Sequence, residues 1–131
     1  MQPTTKDLNF IQTLNDRLIR KDSVLDLSYD RMGDAGVIFL CRNKDLSHVQ
    51  KLDLSWNEIT DHGLAVLVGT GALPELKHLV LNANQIGEEG AKSLALSKNL
   101  PKLETLEMVN NEVADFGALS LVKSQSLLSL R

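Results

Sequence analysis

Serine, histidine and aspartate recur in this chain at matched places. Asp26 and Ser28 are repeated 27 residues later as Asp53 and Ser55, and His78 stands 27 residues after Lys51. If each stretch is a short strand, period-two alternation projects Asp26, Ser28, Asp53, Ser55 and His78 from one side of a sheet. That is the residue set of a triad, in which serine attacks, histidine takes its proton and aspartate orients the ring. The surroundings argue against hydrolysis. An open sheet face has no strained nucleophile elbow, no oxyanion donors from a helix start and no water-excluding pocket. The other reactive types fare no better. Cys41 shares a column with Val68, Ala95 and Val122 and reads as a small buried core residue. His48 and His62 are widely spaced surface positions, which leaves no metal cluster. Gly69-Thr70-Gly71 lacks the lysine of a phosphate-binding loop. The expectation is a protein without catalysis, metal or cofactor.

Binding is the better use of the same face. Its columns are Asp26, Asp53, Val80 and Glu107, then Ser28, Ser55, Asn82 and Val109, then Tyr29, Trp56, Ala83 and Asn110, and finally Arg31, Glu58, Gln85 and Glu112. The single tyrosine and single tryptophan fall side by side at a strand spacing of about 4.8 Å. Aromatic residues are preferred interface anchors, and acidic rows steer basic partners. The candidate partner-binding residues are Asp26, Tyr29, Asp53, Trp56, Glu58, His78 and Glu107.

The elements that position these residues follow from a strict repeat. Asp30, Asn57, Asn84 and Asn111 are 27 apart, as are Gly36, Gly63, Gly90 and Gly117. Leu40, Leu67, Leu94 and Leu121 form a further column, and so do Leu46, Leu73, Leu100 and Leu127. Leucine fills 25 of the 131 positions, about twice ordinary usage, and these columns absorb the excess. The segments Val49 to Ile59, Leu76 to Ile86 and Leu103 to Val113 resemble the LxxLxLxxNxL core of leucine-rich repeats. The continuation from Ile59 through Gly63 to Leu67 resembles the long helical repeat of the ribonuclease-inhibitor-like subfamily. The period is constant and no cysteine alternates with asparagine, so the likeness is to the broader class. That class includes Ran GTPase activators, NOD-like receptor tails and bacterial effectors, and ribonuclease inhibition is not implied.

The resemblance implies an α/β, right-handed leucine-rich repeat solenoid with parallel inner strands and outer helices. Strands are expected near 24–28, 51–55, 78–82 and 105–109, and helices near 34–43, 61–69, 88–98 and 115–124. Asp34, Asp61, Glu88 and Asp115 open the helices, where a negative charge favours the helix dipole. The glycine two residues on is expected to let helix and strand backbones come close. Leu8, Ile11, Leu14 and Leu18 are spaced for an amphipathic helix over 5–19. The organisation expected is a capping helix in 1–21, then four 27-residue repeats over 22–131 that end in a partial fifth. An uncapped last strand would be an edge through which two copies could pair as a homodimer.

Length, charge and hydropathy narrow the function. A chain of 131 residues suits one domain. A net charge of −3 and a pI near 5.5 argue against nucleic acid and a polybasic membrane contact. No apolar run nears the ~20 residues of a membrane span, and Met1 to Asp7 lacks a secretory pattern. The expected place is the cytoplasm, or a host cytosol for a secreted bacterial effector. The expected function is a protein-interaction module with a basic protein partner, and its alternative is a regulatory subunit or activator of a partner enzyme.

Overall fold

The computed structural model describes residues 23–113, with residues 11, 12, 14–16 and 18 ahead of them. Leucines two apart can share a core only if the backbone between them is extended. Leu25 and Leu27, Leu52 and Leu54, and Leu79 and Leu81 do so, all buried in one apolar cluster. They belong to or directly follow the strands β1 (Val24–Asp26), β2 (Lys51–Asp53) and β3 (His78–Val80); β4 is Thr105–Glu107. Helices α1 (Gly33–Asn43), α2 (Asp61–Gly69) and α3 (Glu88–Leu96) connect them. The sheet is parallel in the order β1-β2-β3-β4, in register at Leu25, Leu52, Leu79 and Leu106. Each repeat therefore contacts its sequence neighbours along a solenoid, with Val37, Leu40, Leu64, Leu67 and Leu94 of the helices closing the core.

The strands are shorter than the five residues expected, yet the backbone ladder continues past them. Leu27 N–H donates to Asp53 O (2.9 Å) and Tyr29 N–H to Ser55 O (3.0 Å), with equivalents at Leu54, Trp56, Leu81 and Ala83. Regular extension stops because the chain turns left-handed at Tyr29 (φ 61°), Trp56 (φ 60°), Ala83 (φ 55°) and Asn110 (φ 58°). Such a turn would strand polar backbone groups inside the molecule, and the asparagine column answers it. Asn57, fully buried, accepts at Oδ1 from the N–H groups of Asp30 and Met32 (3.1 Å each) and donates from Nδ2 to Leu27, Leu54 and Ser55 carbonyls. Asn84 repeats this for Asn57 and Ile59, and Asn111 accepts from Ile86. Each amide thus fastens its own turn to the preceding repeat.

Two expectations about the helices change. Helix α3 ends at Leu96 rather than residue 98, because Ser97 turns extended and its hydroxyl donates to Val68 O of the preceding repeat (2.6 Å). Gly63 and Gly90 admit a carboxylate rather than a strand backbone, while Gly36 admits the Met32 side chain. A Cβ on Gly63 would fall 2.9 Å from Asp34 Cγ, and one on Gly90 would fall 2.6 Å from Asp61 Oδ1. Cys41 also differs from its expected full burial: it is half-buried, packed against the core. Burial raises its thiol pKa, with a Thr70 hydrogen bond pulling the other way. Ahead of β1, residues 11, 12, 14–16 and 18 are helical and Leu14 is in the core. The rest of the expected 5–19 helix, the 115–124 helix and the uncapped terminal edge lie outside the described residues.

Candidate functional site

The left-handed turn determines what the strand ends present. With φ near +60°, Tyr29 and Trp56 lift off the sheet side by side, and their rings stack with centroids 5.6 Å apart and planes 11° from parallel. A left-handed backbone costs a non-glycine residue about 1–2 kcal/mol, and the surrounding turn holds it. Both rings remain wet, Tyr29 69% and Trp56 52% exposed. A stacked pair this exposed contributes little burial to the core, so its apolar area is free for a partner.

Beside the pair lies an open groove of about 560 Å³, lined by the two rings together with Arg31, Glu58, Ala83, Asn84, Gln85 and Asn110. Three of the expected site residues, Tyr29, Trp56 and Glu58, meet there. The other four stand on the neighbouring strand face and are engaged locally. Asp26 accepts from the Ser28 N–H and hydroxyl (3.0 and 2.6 Å), and Asp53 from the Ser55 N–H (2.9 Å). His78 Nδ1 pairs with Thr105 Oγ1 (2.7 Å), and Glu107 accepts from Asn82 Nδ2 (3.1 Å). Arg31, Ala83, Gln85 and Asn110 complete the groove although they lie outside the expected set. Their signal is present in the sequence as the continuation of the aromatic and charged columns.

The triad drawn from the sequence is not assembled. His78 bonds Thr105 and neither serine, Ser28 bonds Asp26 directly, and the Ser55 hydroxyl is buried without a partner. Among the described residues no group of three His, Cys, Asp or Glu side chains is placed to hold a metal ion. None of the described helices is long and apolar enough to cross a membrane.

A leucine-rich repeat family model matches residues 45–68 and 73–95. No curated protein matches the chain in sequence. Among solved structures, the leiomodin-1 actin-binding site 2 superimposes with a TM-score of 0.70 at 14% identity, over 98% of this chain and 79% of that one. At that identity the likeness is one of fold, and it is the fold that the 27-residue columns, the asparagine seam and the in-register parallel sheet require: the chain is a leucine-rich repeat solenoid.

Proposed function

We propose that this solenoid is a non-catalytic module that binds a protein partner along its strand face, with Tyr29 and Trp56 as the anchor. The observation that carries the reading is the exposed stack beside its groove. Large rings already held against each other lose little freedom on binding, so burying them favours association more than burying flexible side chains. The structural neighbour is an actin-binding site of leiomodin-1, which is in keeping with a binding role for this architecture. The finer likeness to ribonuclease-inhibitor-like repeats, and a cytoplasmic place of work, belong to the same proposal.

Affinity capture of interacting proteins tests it, using wild type, Trp56→Ala and Leu96→Ala, the last removing an exposed leucine at the end of α3. A partner held by wild type and Leu96→Ala but lost by Trp56→Ala is the expected result. Equal capture by all three would place the binding surface elsewhere.

A further inference from the structure

The aromatic column stops in mid-sheet. Tyr29 faces Trp56, but the next rung is Ala83 and the one after is Asn110, each joined to its neighbour by the same backbone ladder. The side of Trp56 away from Tyr29 therefore gives onto a methyl group, and this drop in size opens the groove. The adjoining column runs Arg31, Glu58, Gln85, Glu112. A group seated over Ala83 is one rung from Glu58 and one rung from Glu112, but two rungs from Arg31. Both glutamates are exposed, and among the described residues neither they nor Arg31 take part in an ion pair. Glu58 and Arg31 line the groove itself and Glu112 stands one rung beyond Gln85, so the seat has an aromatic wall, a small side chain at Ala83 and one lining carboxylate, with a second carboxylate on the next rung and its cation two rungs away.

We propose that this seat takes an arginine side chain of a protein partner, its guanidinium lying over Ala83 as the third plate of the Tyr29–Trp56 stack. The inference rests on the binding reading above and names the chemistry of its occupant. Guanidinium is the side-chain group that is both planar and permanently cationic. It can stack on the indole and still direct N–H groups at carboxylates on either side. Lysine has the charge without the plane, and an aromatic side chain has the plane without the charge.

The chain has one tryptophan, so a ¹⁵N-labelled sample gives one indole N–H signal that reports the seat directly. The probe is a nine-residue Gly/Ser peptide with one central arginine, beside the same peptide carrying lysine or the neutral isostere citrulline. The arginine peptide is expected to shift the Trp56 indole and Ala83 amide signals saturably, and to bind about two- to fivefold more tightly than either control. Glu58→Gln with Glu112→Gln should weaken it further. Ala83→Trp, which fills the third rung at a backbone angle its column already gives to Trp56, should abolish the response in a folded protein. No saturable shift up to millimolar peptide, equal binding of lysine, or binding undiminished by Ala83→Trp would overturn the proposal. Capture of a partner that depends on Trp56 with no arginine response would sink the seat and leave the binding reading standing. An arginine response with capture indifferent to Trp56 would do the reverse.

Discussion

The carboxylate of Asp34 belongs to the first turn of one helix and secures the amino end of the next. It accepts the Thr60 backbone N–H at 2.8 Å and the Thr60 hydroxyl, while Thr60 Oγ1 accepts from His62 N–H. Asp61 does the same for the Gly87 N–H, at 2.6 Å. A helix start leaves N–H groups without intrahelical partners, and at the starts of α2 and α3 one of them, on Thr60 and on Gly87, is met by an acid from the preceding repeat. The solenoid therefore has two polar seams, asparagine at the strand ends and aspartate at the helix starts. Both bind repeats to each other, the asparagines while also holding their own turns, which favours cooperative folding of the stack.

The aspartate seam predicts a coupling between Asp34 and Gly63. An added Cβ at Gly63 would collide with the Asp34 carboxylate and lie 3.1 Å from Ile59 Cγ2. Gly63→Ala should destabilise by about 1–3 kcal/mol although alanine is the better helix former. In an Asp34→Ala background the same substitution should be milder by about 1 kcal/mol or more. Urea denaturation of the four proteins of the cycle measures this, and simple additivity would show that the carboxylate does not set the need for glycine.

The asparagine seam predicts a larger loss. Asn57→Ala leaves the N–H groups of Asp30 and Met32, and the carbonyls that Asn57 served, without that amide in a buried site. At about 1–3 kcal/mol for each buried group left unsatisfied, several kcal/mol should be lost. Asn57→Asp should not rescue it, since a carboxylate would face the Leu27, Leu54 and Ser55 carbonyls without a donor. A thermal midpoint within a few degrees of wild type for either variant would mean the seam is replaceable by water.

The repeat makes much of this legible. Fixed columns place the strand leucines, the asparagines and the neighbouring Tyr29 and Trp56 from sequence alone, because each role recurs at the same offset. What periodicity does not carry is how one repeat meets the next. Asp34 reads as a charge beside its own helix dipole, whereas its nearest donors lie 26 residues downstream in Thr60. Asp26 and Asp53 read as parts of a binding face, and the columns do not reveal that they also hold the turns of Ser28 and Ser55. The groove is not evident from the columns for a related reason: it arises from the change from Trp56 to Ala83 within a column, whereas periodicity marks what stays the same.

The left-handed turn at Ala83 gives a third prediction. Its φ of 55° strains an alanine and suits a glycine. Ala83→Gly should raise stability by up to about 1 kcal/mol, the backbone gain being partly offset by a freer unfolded chain. Chemical denaturation would detect it. A loss of that size would show that the Ala83 methyl packs more than its half-burial suggests.

The last prediction concerns the single cysteine. Burial of Cys41 raises its thiol above the ordinary value, outweighing the Thr70 hydrogen bond that favours the thiolate. Below the unfolded value both states keep the proton, and the thiol adds no pH dependence. As pH rises past that value the unfolded chain loses its proton first, so unfolding is favoured progressively until the folded thiol also ionises. The stability of wild type relative to Cys41→Ala should therefore be flat from pH 6 to about 8 and decline above about 9. Alkylation by iodoacetamide should be slower at pH 8 in the folded protein than in urea, and its rate should rise with a midpoint above that of the unfolded chain. An alkylation midpoint below that of the unfolded chain would reverse the sign and mark a thiolate stabilised by its surroundings.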